Sequence, residues 1–395
     1  MSALNGIRVL ELATVIAGPY AGNIFSDFGA EVIKVEMPGL GDAFRTQGPF
    51  HQGKNIRWPS LSRNKKSITL DLRQDEGKNI LLELIAVSDV IIENFRVGTL
   101  DKWGLDIETM RKANPKIIVA RVTGYGQTGP KKQLSGFGTP CTAFSGVTYC
   151  TGYPDRSPVS PYFSLADYVA GLYTVIGALM SLYNRDIFEG KSQEIDISLY
   201  EGLFRMQESL VADYHLNGII KERQPKMSGS ASPSATFKTK DNKWVVIVCS
   251  TDKTFEYLTN AMGRHDELMK NYDTALKRIN EDDYILSITD DWVSKLNYKE
   301  LEEICRKEGV PVDLVYSIED IFEDDHYAAR NDIIEFPSEE FGTVKMPNVF
   351  PILSETPGEV NWIGPKLGAH NEEVYLGLLN KSKEYLEILR EKNIV

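Results

Sequence analysis

Strand-like apolar runs alternate with helical segments through the first 125 residues of the chain. Strand patterns cover residues 7–12, 31–36, 90–93 and 116–123, and helical patterns cover 20–28 and 76–85. This alternation is typical of βαβ units, in which helices connect parallel strands and cover the sheet. The sequence therefore predicts an α/β fold with a mostly parallel sheet in this half.

The length of 395 residues is too great for one ordinary domain, so two domains are expected. Residues 217–234 contain glycine, proline and serine without an apolar period, which is typical of a linker or loop. A hairpin pattern around residues 241–243 then opens a second unit. The predicted segments are a large α/β domain (1–216), a linker or loop (217–234), a smaller α+β domain (235–328) and a return segment that completes the large domain (329–395).

Composition narrows the classes of partner. A net charge of -12 argues against nucleic acid or an anionic membrane as the main partner.

The four cysteines form no CxxC pair and, with five dispersed histidines, they predict no metal site. Their scattered positions favour a reducing, cytoplasmic location. Arg8 and Glu11 interrupt the N-terminal apolar run that an export signal needs. The longest apolar stretch, residues 168–183, falls short of the roughly 20 residues that cross a bilayer, so a buried helix is expected.

Positive charge is concentrated in two stretches that contain no acidic residue. One interpretation is that these residues pair with acids elsewhere in the fold. The other is that they form a site for a small polyanion. The basic residues are Arg45, Lys54, Arg57, Arg63, Lys65 and Lys66 in the first stretch, and Arg111, Lys112, Lys116, Arg121, Lys131 and Lys132 in the second.

The turn after the first strand resembles a nucleotide-binding motif only weakly. Gly18 and Gly22 stand at the start of a helix, but the dinucleotide fingerprint requires three glycines. A tight βα turn is the favoured interpretation, and no nucleotide cofactor is predicted. The N–H groups at this helix start could still hold a phosphate or a thioester carbonyl.

Several sequence blocks, in order over nearly the whole length, are similar to those of one enzyme family. The blocks are AGPYAGNIFSDFGAEVIKVE at 17–36, RNKKSITLDL at 63–72, ENF at 93–95, SLADYVAGL at 164–172 and GVPVDLV at 309–315. They resemble the class III CoA-transferases, a family that includes formyl-CoA and carnitine CoA-transferases and 2-methylacyl-CoA racemases. The run EIDISLYEGLFRM at 194–206 and Ile16 are most similar to the carnitine branch. The resemblance implies a Rossmann-like large domain, a smaller domain and an interlocked homodimer.

Asp167 is the candidate catalytic residue. Its position before a long apolar helix is, by itself, typical of a helix N-cap. The resemblance implies instead that its carboxylate attacks an acyl-CoA thioester, giving a mixed anhydride and then an aspartyl-CoA thioester that an acceptor acid opens. Coenzyme A is then a co-substrate, the partners are acyl-CoA and a small carboxylic acid, and no metal is required.

The resemblance also implies the positions that contact CoA. Met37 stands where the formyl-CoA branch has an arginine, and Arg45 is expected to compensate for it. Loops at 135–138 and 228–230 are candidates for oxyanion donors or a lid, with a plain loop as the alternative. The implied CoA contacts are Ile16, Ala17, Leu70, Asp71, Leu72, Arg73, Asn94, Arg96, Lys102, Ser135, Gly136, Phe137 and Gly138.

Two other functions stay open on the sequence. A racemase of the same fold needs acid and base groups, and the Gly136-Phe137-Gly138 run offers no titratable side chain. An acyl-CoA-binding protein without turnover is the alternative of another class. A carnitine-like substrate would require an aromatic box around its quaternary ammonium group. The aromatic candidates are Tyr162, Phe163, Tyr168, Tyr200 and Tyr214, for most of which core packing is the other interpretation.

Overall fold

A six-stranded parallel sheet is the centre of the large compact unit, in a computed structural model that describes residues 2–224 and 231–395. The strand order is β3-β2-β1-β4-β5-β6, the order found in dinucleotide-binding sheets, and it reverses direction between β1 and β4. The predicted α/β fold with a parallel sheet is confirmed. The strands are β1 (Arg8–Glu11), β2 (Glu31–Glu36), β3 (Lys65–Thr69), β4 (Val90–Glu93), β5 (Ile118–Thr123) and β6 (Glu194–Ser198).

Helices cover both faces of this sheet, as a parallel sheet requires. Alternate strand residues point to opposite faces, so Val9 belongs to the core on one side and Leu10 to the core on the other. Helices α1 and α5 cover the first face, and α2 and α3 cover the second. The helices are α1 (Ala17–Asp27), α2 (Asp75–Ala86), α3 (Ile107–Ala113), α4 (Gly138–Phe144), α5 (Leu165–Ile187), α6 (Glu201–Met206) and α7 (Glu208–Asn217).

Shorter elements decorate the connections. Helical turns occur at Ala43–Thr46, Trp58–Leu61, Thr99–Lys102 and Val147–Cys150, and two-residue strands pair at Phe50–His51 and Lys54–Asn55.

The second compact unit is an antiparallel sheet packed with helices. Strand β8 pairs on one side with β7 and on the other with β9. Its core includes Phe237, Ile247, Phe255 and Leu301, each 3% exposed or less. The elements are β7 (Ser234–Lys238), β8 (Trp244–Val248), α8 (Asp252–Ala261), α9 (His265–Tyr272), α10 (Ala275–Asn280), α11 (Asp282–Val293), α12 (Tyr298–Glu308), β9 (Val312–Leu314), α13 (Ile318–Glu323) and α14 (Asp325–Ala329).

The C-terminal segment packs on the large unit. A hairpin of β10 (Ile333–Ser338) and β11 (Gly342–Pro347) is followed by a π-helical turn (Glu373–Leu378) and α15 (Lys383–Glu391). The fully buried Tyr375 donates its hydroxyl to the Thr69 carbonyl over 2.6 Å, and the Asp71 N–H donates to the Ile394 carbonyl over 2.8 Å. These bonds hold the end of the chain against the end of β3.

The two compact units do not follow all of the predicted boundaries. The large unit contains residues 1–148, 160–219 and 329–395, and the second contains 149–159 and 220–328. Residues 149–159, predicted in the large domain, therefore belong to the second unit. The reason is a set of contacts with residues 222 and 223: Tyr149 donates its hydroxyl to Glu222 over 2.6 Å, and Arg223 donates to the Tyr149 carbonyl over 3.1 Å.

The apolar run 168–183 predicted a buried helix, but helix α5 is buried on one side only. It spans 23 residues, and it is the one helix of the described residues that is long and apolar enough to span a bilayer. One face packs on α1 and the sheet, because a helix lying on a sheet buries only the side that faces it. The other face exposes the side chains of Leu172, Ile176, Met180, Tyr183 and Ile187.

Candidate active site

A cleft of about 220 Å³ opens at the carboxyl ends of the parallel strands. It lies where the strand order reverses, between β1 and β4, which is the usual ligand site of an open α/β sheet. Residues 14–17, 94–97 and 122–124 line it from the ends of β1, β4 and β5. Loop 132–137, Leu199 and Asp167 complete the lining.

Asp167 lies in the first turn of α5 but is not its N-cap. Helix α5 begins at Leu165, so Ser164 is the N-cap and Asp167 is the third residue of the helix. The Asp167 N–H donates to the Ser164 carbonyl over 3.0 Å. The cap interpretation is therefore wrong, since a residue inside the helix cannot act as its cap. The position still favours a carboxylate, because the helix dipole is positive at this end.

Glycines make room for the Asp167 carboxylate. A β-carbon on Gly138 would lie 1.9 Å from Asp167 Oδ2, so the carboxylate rests directly on the Gly138 backbone. A β-carbon on Gly124 would lie 2.5 Å from Gly136 Cα, so the end of β5 touches the loop before α4. Because Gly136 and Gly138 have no side chains, the Gly136-Phe137-Gly138 run can approach both Gly124 and the Asp167 carboxylate closely.

The carboxyl group of Asp167 is partly buried and has no ion-pair partner among the described residues. Burial raises its pKa to about 6, and a hydrogen bond from its own backbone N–H opposes that shift. The group is therefore mainly ionised at neutral pH while poorly solvated. An ionised, weakly solvated carboxylate is the form that a nucleophile requires.

The neighbouring thiol of Cys141 does not compete as a nucleophile. Burial, and then the negative charge of Asp167, raise its pKa to about 11. Its Sγ donates to the Gly124 carbonyl over 3.4 Å. Because the thiolate is the reactive form, a thiol with this pKa is inert at neutral pH.

Two cations lie at the cleft without an ion-pair partner among the described residues. Arg96 and Lys132 are exposed and line the cleft with Asp167. Lys132 comes from the second acid-free stretch. An anionic group could bind at this rim.

Most basic residues of the first acid-free stretch form ion pairs, which confirms for them the interpretation that they pair with acids elsewhere in the fold. Most of these acids come from distant parts of the sequence. The pairs are Arg45–Glu36 at 2.8 Å, Lys54–Glu340 at 3.0 Å, Arg63–Asp27 at 2.7 Å, Lys65–Glu11 at 2.8 Å and Lys66–Glu31 at 2.6 Å.

The structure brings most of the implied CoA contacts to the cleft, but not all of them. Residues 70–73 follow β3, which is separated from β1 by β2 and so lies about 10 Å away across the sheet. Lys102 is exposed on the turn Thr99–Lys102, outside the cleft lining. In the cleft are Ile16, Ala17, Asn94, Arg96, Ser135, Gly136 and Phe137, with Gly138 beside Asp167; outside it are Leu70, Asp71, Leu72, Arg73 and Lys102.

Several of these side chains are already occupied. Leu70 and Leu72 are core residues, so only their backbone could contact a ligand. Asp71 accepts from Arg73 over 2.8 Å, and this bond lowers the Asp71 pKa to about 2. The Asn94 amide binds both backbone groups of Thr14, accepting over 2.9 Å and donating over 2.7 Å.

Arg45, expected to compensate for Met37, has partners within the protein. Its guanidinium binds Glu36 over 2.8 Å and stacks on the Trp58 ring at 3.7 Å. The cation beside Met37 is Arg73, whose Nη2 lies 3.6 Å from the Met37 sulfur. Sequence spacing could not reveal this, because residues 37 and 73 approach only when β2 and β3 pair.

The remaining predictions for the site concern an aromatic box, a lid and the absence of a metal. The aromatic candidates do not form one box: Tyr162, Phe163 and Tyr168 contact one another in series, whereas Tyr200 packs on Phe144. The candidate lid at 228–230 lies outside the described residues. No group of three or more His, Cys, Asp or Glu side chains suited to a metal ion occurs in residues 2–224 and 231–395.

Comparison with known proteins identifies the family. The model of CoA-transferase family III matches residues 4–371. The chain belongs to the class III CoA-transferases. Two similar proteins are the alpha and beta subunits of succinyl-CoA:L-malate CoA-transferase from Chloroflexus aurantiacus, 42% and 44% identical over 99% of this chain, and 92% and 98% of theirs. The crystal structure of a CaiB/BaiF family protein from Brucella suis is 31% identical, covers 95% of this chain and 99% of that chain, and superposes with a TM-score of 0.82.

This class III CoA-transferase therefore acts on acyl-CoA and carboxylate substrates, with CoA as co-substrate. Sequence reasoning missed Val15 and Leu199 in the cleft lining, and it named Lys132 only as part of a stretch that could bind a polyanion. The sequence signal for Val15 and Leu199 was that each lies shortly after the end of a strand. Their assembly depends on the order of the strands in the sheet.

Gly138→Ala should strongly reduce activity without unfolding the enzyme. The added methyl group must displace the Asp167 carboxylate, whose Oδ2 lies 1.9 Å from the methyl position. We expect turnover to fall by about 100-fold or more, since even 1 Å of misplacement can cost that much. CoA-transfer rates and thermal unfolding would be measured together. The matched control is Gly377→Ala, where the added carbon meets no atom within 4 Å. Equal activity of both variants would contradict the placement of Asp167.

Asp167→Asn should stabilise the fold at alkaline pH. Burial raises the folded-state pKa of Asp167 to about 6, whereas its pKa in an unfolded chain is near 3.9. Ionised Asp167 therefore costs stability, fully above about pH 6 and not at all below about pH 4. At pH 8 we expect the asparagine variant to gain on the order of 1–3 kcal/mol in free energy of unfolding. Denaturant unfolding at pH 8 and pH 4 would test this, and a gain independent of pH would contradict it.

Proposed function

We propose that this enzyme transfers CoA through covalent intermediates on Asp167. The observation that carries the proposal is an ionisable, unpaired and partly buried carboxylate at the cleft of the parallel sheet. Its neighbouring thiol is protonated, and the Gly138 backbone lies directly against it. No other side chain of the cleft lining combines ionisation with nucleophilic oxygen.

The proposed reaction has two matched halves. An Asp167 carboxylate oxygen attacks the thioester carbonyl, the C–S bond breaks, and CoA leaves as a thiolate. The thiolate then attacks the aspartyl carbonyl of the resulting mixed anhydride, which releases the first carboxylic acid and leaves an aspartyl-CoA thioester. The acceptor carboxylate repeats these steps in reverse order. The thioester energy stays in the enzyme throughout, so no separate energy source enters.

The main-chain N–H groups at the start of α1 are our candidates for stabilising the oxyanions. Ala17 is the first residue of α1, and it lines the cleft together with Asp167. N–H groups in the first turn of a helix have no intrahelical partner, and Pro19 contributes none. Their dipole therefore favours the negative charge that develops on the carbonyl oxygen.

We further propose dicarboxylic acids as the substrate class, with succinyl-CoA as a donor. The two Chloroflexus aurantiacus relatives are named for succinyl-CoA and L-malate. Arg96 and Lys132 supply positive charge at the cleft, suited to the CoA phosphates or to a second carboxylate. A carnitine-like acid is less favoured, because the aromatic candidates do not surround one point.

Trapping should locate the intermediate. Incubation with succinyl-CoA and no acceptor, followed by hydroxylamine, should leave a hydroxamate on the peptide that contains residue 167, detected as a mass shift. Asp167→Asn should show no adduct and should lose turnover by about 10³-fold or more. Malate, glutarate and carnitine would be compared as acceptors. Turnover of the asparagine variant within about tenfold of the parent, or an adduct elsewhere, would overturn the role of Asp167.

We also propose a homodimer, interlocked as the family resemblance implies and with a Rossmann-like large domain in each chain. The exposed apolar face of α5 supports the proposal. Met180 and Tyr183 are 67% and 60% exposed there, at the spacing of one helix face. Such contiguous apolar surface marks a contact site in a folded protein. The relatives with alpha and beta subunits make a second, homologous chain the competing partner.

Sedimentation at nanomolar concentration should show a particle of twice the chain mass that does not dissociate, because interlocked chains separate only on unfolding. Met180→Glu should reduce the yield of this dimer, since it places a charge in the apolar face. Leu276→Glu is the control, because it changes a similarly exposed apolar residue, 70% exposed, in the second unit. A monomer, or a dimer that dissociates on dilution, would contradict the interlocked assembly. Assembly only with a homologous chain would point to the alpha–beta arrangement.

A further inference from the structure

The connection from β1 to α1 contains a backbone conformation that its residue type resists. Val15 has a φ of +69°, in the left-handed region. A β-branched residue is strained there because its β-carbon and branch crowd the backbone, so surrounding contacts must enforce the conformation. Val15 also lines the cleft that contains Asp167.

Three side chains hold the main chain of this connection. Asp42 Oδ1 accepts the Val15 N–H over 3.0 Å. Asn94 binds both the N–H and the carbonyl of Thr14. Lys34 Nζ donates to the Ala13 carbonyl over 3.0 Å. Three consecutive residues are thus fixed by contacts from outside the connection.

The Asp42 carboxylate is itself held by a buried ion pair and a second hydrogen bond. Its Oδ2 lies 2.7 Å from Lys34 Nζ, and both side chains are 1% exposed. Its Oδ1 also accepts the Phe44 N–H over 2.8 Å. A buried charge held on both oxygens cannot rotate away from Val15 without losing an ion pair in a dry environment.

The held segment forms one wall of the cleft. Val15, Ile16 and Ala17 line it together with Asp167. The same wall touches the helix that carries Asp167, since a β-carbon on Gly171 would lie 2.9 Å from the Ala17 carbonyl oxygen. A change in the Val15 conformation would therefore move the start of α1 relative to the carboxylate.

We propose that Asp42 is a positioning residue for CoA transfer: its hydrogen bond keeps Val15 left-handed and so places the 15–17 wall at Asp167. The proposal rests on the proposed role of Asp167 as nucleophile. The proposal gives Asp42 a role in addition to neutralising Lys34. This role needs only an acceptor oxygen for the Val15 N–H, so an uncharged side chain with an oxygen at the same position would also fulfil it.

The test separates the hydrogen bond from the charge. Asp42→Asn removes the charge but keeps an acceptor for the Val15 N–H. Asp42→Leu has similar volume, the same loss of charge and no acceptor. Lys34 keeps its contacts with Glu11 and the Ala13 carbonyl in both variants. We expect kcat of the first variant to stay within threefold of the parent and kcat of the second to fall at least tenfold. Activities would be corrected for the folded fraction, measured by circular dichroism.

A third change links the effect to Val15. Glycine adopts the left-handed conformation without strain, so Val15→Gly should reduce the difference between the two Asp42 variants to less than threefold. Asp27→Asn is the control for losing a buried acid: it breaks the pair with Arg63 and should lower the unfolding temperature without changing kcat.

Equal kcat of the asparagine and leucine variants would overturn the proposal, as would an undiminished difference in the glycine background. Hydroxylamine trapping in the parent distinguishes this failure from that of the proposed function. An adduct on residue 167 with equal kcat values defeats only the role of Asp42, whereas an adduct elsewhere defeats the nucleophile.

Discussion

The packing of β1, β2 and β3 depends on one buried carboxylate. Glu11, at the end of β1, lies 2.8 Å from Lys34 of β2 and 2.8 Å from Lys65 of β3, and all three side chains are 1% exposed or less. Charges this deeply buried cost several kcal/mol each unless they are paired well, so the three strands must pack in the register that brings both lysines to Glu11. Helix α1 crosses directly above it, since a β-carbon on Gly22 would lie 2.0 Å from the carboxylate.

Two buried carboxyl groups of the large unit have pKa values shifted in opposite directions. Burial opposes ionisation of Glu36, but the hydrogen bond from Arg45 and the charge of Lys34 outweigh it and hold the Glu36 pKa below its usual range. Asp167 has no such cation, and burial alone raises its pKa to about 6. The first arrangement keeps an acid inert and structural. The second leaves it unpaired and poorly solvated, which is the pattern expected where chemistry occurs.

Different levels of information identified the fold and the site. The α/β fold followed from alternating strand and helix patterns, because residues that cover a sheet must repeat with the strand or helix period. The pattern missed β3, whose sequence begins with Lys65 and Lys66. Lysines can enter a sheet only when distant acids neutralise them, and Glu11 and Glu31 lie on other strands. Asp167 was identified by resemblance, since its surroundings are set by Gly138 and by the cleft rather than by its neighbours in sequence.

The sequence by itself determined the parallel α/β fold, the candidate nucleophile and the family, because periodicity and ordered motifs are local properties of the chain. The tertiary structure decided which residues share the cleft and which charges are neutralised. Residues 70–73 lie apart from Asp167 because two strand spacings separate β3 from β1, and Arg73 rather than Arg45 lies beside Met37. The strain at Val15 and the raised pKa of Asp167 likewise arise from groups far apart in sequence, since hydrogen bonding and desolvation depend on distance in space.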